Sequence, residues 1–347
     1  MKNKITSYSV PYSKNITTGP LVRVNGINKE IAQIKSSNII FADGFNKFKQ
    51  SLSAKVTDLL YIESSTNRIS LFDLISLLIL KRKSKRVVVY IRDVYVELFP
   101  EEYKTFRKRV TVFFNQLTIK FYAYIATDFA FPTNEMGIVF FSKNKLKVIN
   151  SFELPPACDI ECQKATQDVA NERLKAIKIM YLGGINYKYS GINNFINLVE
   201  YSPKEYLFYI VTYDKEIFNY LDSLSTSSRK KVTIHTLDKV GVDKFIKENN
   251  ITYMFHSRPI NEYDNLTYPI KFFDALTWNL PLLTAKNEPV VKVLGANYPL
   301  YVDVTNPAEI VKTITQNKPH YFTTLQQIES IALSNRYDNR VGTLIEP

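Results

Sequence analysis

The sequence predicts an α/β protein built as two doubly wound, Rossmann-like domains. Three observations carry this expectation. The chain has 347 residues, too many for one ordinary domain and comfortable for two. Runs rich in Val, Ile, Tyr and Phe alternate with helical periods, which is the pattern of a parallel sheet covered on both faces. That alternation is interrupted once and then resumes.

In the first series, 4–10, 38–44, 58–64, 86–93 and 121–128 read as strands. Segments 20–34, 70–80 and 101–117 read as helices between them. The stretch "SFELPPACDIECQKATQDVANERLKA" (151–176) contains a Pro-Pro pair followed by polar, charged residues, so it reads as the interruption. In the second series, 177–184, 205–212, 231–237, 251–257, 280–285 and 300–304 read as strands. Helices fall near 190–200, 214–224, 238–249, 269–278, 288–295 and 307–316. The expected division is a domain over 1–160, a linker over 161–176, a domain over 177–325 and a tail helix over 326–347.

Composition narrows the function classes. Hydrophobic residues make up 45% of the chain and charged ones 22%, as in a globular protein. The longest apolar run, "LFDLISLLIL" (71–80), is too short to span a bilayer, and the first ten residues carry no signal-peptide core. Two cysteines argue against a disulfide framework and for a reducing cytosol. Cys158 and Cys162 do not make a zinc site with three unclustered histidines. The charge is uneven: residues 1–150 hold 24 Lys and Arg against 11 Asp and Glu, and the remainder 21 against 22. A basic first half suits an acidic acceptor, an anionic membrane surface or nucleic acid, and equally a solvated face.

The chemistry is sought at the C-terminal ends of the strands, where doubly wound sheets bind ligands. Gly183-Gly184 ends the first strand of the second series. Glycines there let a backbone pass close to phosphate, or simply make a tight turn. G-x-G-x-x-G, the P-loop motif, G-x-S-x-G and H-E-x-x-H are all absent. In "SRPINEYDNLTYPIKFFDAL" (257–276), Arg258 follows a strand end, and Lys271 and Asp274 fall in the first turn of a helix starting near Pro269. A lysine at a helix mouth suits a diphosphate, and an ionised carboxylate one turn in can accept both hydroxyls of a ribose. The same pair would serve as a dipole-stabilising Asp and a surface Lys.

These residues resemble a known family. Gly183-Gly184, then "PIKFFDAL" (269–276), then "NLPLLT" (279–284) are similar to the C-terminal half of nucleotide-sugar glycosyltransferases of the GT-B architecture, most closely the retaining family-four group. That group carries a Gly-Gly strand end, P-x-K-x-x-E-A on a helix and G-x-P-V-V on the next strand. The end of the chain, 334–346, resembles the family's closing helix, and "TTGPLVRVNGINKEI" (17–31) its first loop and helix. The resemblance implies two domains facing a central cleft, with the last helix crossing back to the first.

It also implies roles. Asp274 would hold the donor ribose. Lys271, Arg258 and Lys188 would neutralise the diphosphate beside Gly183 and Gly184, with no metal or other cofactor. His235 and Thr236 lie where the base would sit. Gly19, Arg23 and Arg92 belong to the acceptor side. The family's paired acidic motif is half present, because Leu266 stands eight residues before Asp274, and this leaves the sugar open. Asp93, at a strand end, would deprotonate the acceptor if the reaction inverts, orient it if the reaction retains, or cap a helix. The expectation is a cytoplasmic glycosyltransferase of glycan biosynthesis, peripheral on the inner membrane face, taking a nucleotide-sugar donor and a lipid-linked, glycan or polymer acceptor. Other readings stay open: a nucleic-acid-binding protein, a DNA-base glucosyltransferase, or a sugar-nucleotide epimerase of the same fold.

Overall fold

A computed structural model describes residues 4–10, 19–41, 44–64, 69–186 and 189–346. The chain divides into two compact units. Unit 1 holds residues up to Ala157, Leu266–Tyr268 and the chain from Tyr337 on; unit 2 holds Cys158–Asn265 and Pro269–Arg336.

In unit 1 the order is β1 (Ile5–Ser9), α1 (Gly19–Gln33), β2 (Asn38–Ile40), α2 (Gly44–Ser53), β3 (Thr57–Ser64), α3 (Leu71–Arg82) and β4 (Ser84–Ile91). Then follow α4 (Tyr95–Leu98), α5 (Phe106–Ile125), β5 (Asp128–Phe131), α6 (Asn134–Lys143) and β6 (Asn150–Glu153). Among the described residues the strands form one parallel sheet in the order β2-β1-β3-β4-β5-β6. Its central strands are buried on both faces. Leu60, Ile62, Val87 and Val89 point into one core with Leu77 and Tyr122, while Leu59, Tyr61, Val88 and Tyr90 point into another with Ile27 and Ile31. This is the period-2 alternation of a strand covered twice.

In unit 2 the order is α7 (Gln167–Leu174), β7 (Lys178–Leu182), α8 (Ile192–Tyr201), β8 (Leu207–Val211), α9 (Ile217–Leu221), α10 (Thr226–Arg229) and β9 (Val232–His235). Then come α11 (Lys239–Asn249), β10 (Tyr253–His256), α12 (Ile270–Thr277), β11 (Leu282–Thr284), α13 (Glu288–Leu294), α14 (Pro307–Asn317) and α15 (Tyr321–Ser334). The last helix, α16 (Tyr337–Ile345), belongs to unit 1, where Tyr337, Val341 and Leu344 join the core of Ile27 and Ile31. The described strands of unit 2 form a parallel sheet in the order β11-β10-β7-β8-β9. The chain winds outward from β7 in one direction through β8 and β9, then returns to β7's other side with β10. The switch point therefore lies between β7 and β10, the place where an open α/β sheet leaves a crevice beyond its strand ends.

Four expectations need correction. Residues 121–125, read as the start of a strand, end the 20-residue helix α5. Its buried residues Asn115, Thr118, Ile119, Tyr122 and Ile125 repeat at helical spacing, which overrides the β-rich composition of "FYAYI". Segment 300–304 forms only an isolated bridge, Thr284 with Tyr301. The expected linker 161–176 contains α7, whose Arg173 is buried and donates to the Asn279 carbonyl at 2.6 Å, so this stretch is part of unit 2. The expected tail 326–347 is likewise two helices, one in each unit.

Candidate functional site

β7 delivers the backbone to Gly183 at the switch point. The Gly183 N–H completes the ladder by donating to Val211 O at 3.0 Å. Its φ of 151° lies where side chains are rarely found, and a β-carbon there would overlap Lys271 Nζ. The turn that follows is tied down by Asp214, whose Oδ2 accepts from the Ile185 N–H at 2.6 Å, and by Tyr181, whose hydroxyl donates to Gly184 O at 2.8 Å. The chain then returns at Gly191, with φ 72°, before α8; a side chain there would overlap the carbonyl of Ser257. The loops after β7 and β10 thus meet backbone against backbone. Asn194 adds a hydrogen bond from Nδ2 to Ser257 O at 2.9 Å. A cleft of about 450 Å³ opens here, bordered by Asn186, Ser190, Gly191, Asn194 and Pro259. Lys188, expected among the diphosphate ligands, lies outside the described residues.

β10 ends at His256, and Arg258 follows. Arg258 Nη2 is 2.6 Å from Asp264 Oδ1, and Asp264 also accepts from Asn261 Nδ2 at 2.5 Å. Burial lifts the Asp264 carboxyl above the usual range, and Arg258 opposes that shift. His256 is held neutral: burial, then Arg258 and Lys271, push its pKa down to about 3. Its Nδ1 lies 3.4 Å from Thr284 Oγ1, and its buried Nε2 has no hydrogen-bond partner among the described residues.

α12 brings in the two residues that the sequence singled out. Lys271 stands in its first turn. Among the described residues it has no ion-pair partner within 4.0 Å, and its ammonium reaches the Gly183 turn. Burial pushes its pKa down to about 8, with Asp274 opposing and Arg258 reinforcing that shift. A cation with no ion-pair partner among the described residues, set beside a glycine turn, has the chemistry to take an anion. Asp274 lies one turn further in, past the first turn where it was expected; that turn contains no acid. It is paired: Lys239 Nζ sits 2.8 Å from Asp274 Oδ1 and 2.9 Å from Asp159 Oδ2. Burial raises the Asp274 pKa, and Lys239 pulls it back. For Lys239, burial lowers the pKa, but Asp274 and Asp159 together hold it above the ordinary lysine value.

At β9, His235 packs its ring against Phe245, with centroids 4.4 Å apart, and against Tyr209 at 6.2 Å. Burial lowers its pKa. Its carbonyl takes the Thr212 N–H at 3.0 Å, and the Thr236 hydroxyl donates to Thr212 O at 3.0 Å. The "IHTL" backbone is therefore partly engaged in holding the β8 loop.

In unit 1, Asp93 follows β4. One oxygen is 3.2 Å from Arg92 Nε and the other accepts from the Tyr95 N–H at 3.4 Å, at the start of α4. Gly19 is the first residue of α1, and the loop before it (11–18) lies outside the described residues. Arg23 corrects an expectation. It is 1% exposed, its guanidinium stacks 3.8 Å from the Tyr90 ring centroid, and Nη1 donates to Pro155 O at 3.1 Å. With Glu63 3.4 Å from Nε and Tyr61 on Nη2, it is a core residue of unit 1 and cannot meet an acceptor. Leu266, in place of the family's first acid, is buried in unit 1's core.

Several residues of this region were not singled out by the sequence. His256 was noted only as an unclustered histidine, although its place at a strand end beside Arg258 is a usable signal. Asp214 and Lys239 gave none, since Asp238-Lys239 reads as a helix cap and a surface lysine.

No protein family matches the chain by sequence, and no curated protein matches it either. Solved structures do. HepE (Alr3699) from Anabaena, crystallised with UDP, is 10% identical with a TM-score of 0.63, covering 99% of each chain. The E. coli trehalose-6-phosphate structure bound with UDP-2-fluoro glucose is 8% identical with a TM-score of 0.62, covering 99% of each. Sucrose-phosphate synthase from Thermosynechococcus elongatus is 10% identical with a TM-score of 0.61, covering 99% of this chain and 98% of the other. At such identities the likeness establishes the fold, which is GT-B, and it spans the whole chain.

Proposed function

We propose that this protein is a glycosyltransferase that moves a sugar from a nucleoside-diphosphate donor to an acceptor hydroxyl, with the donor's diphosphate carried by unit 2 at the β7–β10 switch point. The observation that carries this reading is Lys271: a partly buried cation with no ion-pair partner among the described residues, touching the glycine turn at the end of β7. Arg258, held by Asp264, would supply the second positive charge. The mouth of α12 and the backbone of Gly183-Gly184 would supply N–H donors.

The difficult moment in such a transfer is departure of the nucleoside diphosphate, on which negative charge accumulates. Two fixed cations and a helix end stabilise that charge without rearranging, so a metal is not required in this scheme. Asp274 would accept ribose hydroxyls, with Lys239 keeping its carboxylate ionised and oriented. Neutral His256 beside these cations can donate or accept without adding charge. In unit 1, Arg92 and Asp93 are our candidates for handling the acceptor hydroxyl. We take retention from the sequence resemblance, together with a glycan, polymer or lipid-linked acceptor and a cytoplasmic site of action. The solved structures of this fold with UDP and UDP-sugars make uridine the first nucleoside to test.

The test is a thermal-shift panel of UDP, GDP and ADP against the intact chain. A nucleotide at a hundred times its Kd stabilises the folded state by about 2.7 kcal/mol. One member of the panel is expected to raise the Tm by several degrees, and its sugar conjugate to be hydrolysed slowly without acceptor. No shift with any of the three would reject the assignment.

A further inference from the structure

Helix α5 has two apolar faces and buries only one. Asn115, Thr118, Ile119, Tyr122 and Ile125 form its covered face. From Phe106 to Phe114 nearly every residue is exposed. Within this half and just beyond it, Phe106, Val110, Phe113, Phe114 and Leu117 recur at i, i+4, i+7, i+8 and i+11, which makes a single stripe. Phe106 is 84% exposed and Phe113 56%, and Phe113 and Phe114 lie edge to face at 5.6 Å. The covered half shows what anchors the helix. Ile69, before α3, donates to Thr118 Oγ1 at 3.5 Å, and Lys81 near the end of α3 reaches Tyr124 O at 3.0 Å. The N-terminal half projects past those ties. Scattered exposed apolar residues are ordinary, but a continuous stripe with three phenylalanines on a projecting helix end is an interaction surface.

Charge says what the surface meets. α5 contains Arg107, Lys108, Arg109 and Lys120, all exposed, and no Asp or Glu. Lys81 adds a further cation beside the same helix, its ammonium 4.1 Å from the Tyr124 ring. An apolar stripe on a helix whose charged residues are all cations complements an anionic lipid interface, where aromatic rings enter the acyl boundary and basic groups meet phosphate. Among the described residues no helix is long and apolar enough to cross a membrane, so such a helix would lie in the interface. α5 also begins on the side of the sheet where β4 ends, the edge at which doubly wound units take ligands.

We propose that unit 1 docks on an anionic lipid surface through the N-terminal half of α5, with Phe106, Phe113 and Phe114 entering the interface and Arg107 and Arg109 pairing with headgroup phosphates. This proposal does not depend on the donor site, and its test uses no nucleotide. The intact protein is sedimented with vesicles of phosphatidylcholine alone or with about one third phosphatidylglycerol. Binding is expected only to the anionic vesicles and is expected to weaken as salt rises. The Phe106→Ser/Phe113→Ser variant should bind at least about tenfold more weakly, since each phenylalanine loses its apolar burial. Its thermal unfolding should change little, because Phe106 is almost fully exposed and Phe113 more than half exposed. Arg107→Glu/Arg109→Glu should also lose anionic binding. No binding to anionic vesicles, or equal binding to neutral ones, would overturn the proposal. So would retention of vesicle binding in the double-phenylalanine variant, a concentration-dependent dimer that this variant abolishes, or duplex DNA binding that the arginine variant alone removes.

Discussion

The ammonium of Lys271 occupies the space that a β-carbon at Gly183 would need. The two residues come from different elements, a strand end and a helix mouth, and form one feature: a cation pressed onto bare backbone. Gly183→Ala is therefore expected to act twice. It strains a backbone with φ 151° and it displaces the lysine. A stability loss of about 1–3 kcal/mol in urea unfolding is expected, together with loss of nucleotide-diphosphate affinity. Gly184→Ala should be milder, since its added carbon would sit 3.3 Å from Asp214 Oδ2, at the end of a side chain.

Lys271 also sets a pH dependence. Its pKa in the folded chain is about 8, against an ordinary 10.5. Below pH 8 it is charged in both folded and unfolded states, and the full cost of holding that charge partly buried is present. Between 8 and 10.5 the unfolded chain binds the extra proton, so stability rises with pH across this window. Lys271→Met should be at least as stable as the parent at pH 7, and the difference between them should shrink above pH 8. A bound diphosphate favours the ammonium. At about pH 8.5 its binding should therefore take up protons, read as a dependence of calorimetric enthalpy on the ionisation enthalpy of the buffer. Affinity should fall as pH rises beyond 8.

Lys239 joins two carboxylates that would otherwise repel. Lys239→Met leaves Asp159 and Asp274 facing each other without their cation. The loss of stability should be about 1–3 kcal/mol. Asp274, already raised by burial, should rise further. Nucleotide affinity in this variant should then fall more steeply on acidification than in the parent, measured by titration between about pH 5 and 8.

Arg23 belongs to the stability of unit 1. Arg23→Ala strips the charge partner from Glu63, itself 1% exposed, and removes the guanidinium from the Tyr90 ring. Removing one member of such a buried pair costs about 3–5 kcal/mol. Denaturant unfolding followed by tyrosine signals should show that loss, with the donor-site variants behaving normally in unit 1.

Much of the fold was legible because the central strands are short runs of aliphatic and aromatic residues bounded by turn residues, and such runs suit a sheet buried on both faces. "FYAYI" misled because its composition is that of a strand, while its buried positions continue a helical period begun at Asn115. At the site, Lys271 was legible from its spacing after Pro269 and before Asp274. The ion-pair triad around Asp274 was not, because Asp159 and Lys239 come from distant parts of the chain and each reads locally as a surface charge. Arg23 was misread for the same reason. An arginine on an amphipathic helix looks solvent-facing until β3 and β4 bring Glu63 and Tyr90 around it.

The most direct measurement is a pair of calorimetric titrations, UDP and uridine, into the parent protein and into Lys271→Ala. If the ammonium at Gly183 grips the diphosphate, the variant should lose about 10- to 100-fold in UDP affinity, as expected for one charge-assisted contact, and uridine should bind both proteins alike. Equal UDP affinity in the two proteins would contradict that placement, as would parallel losses for UDP and uridine.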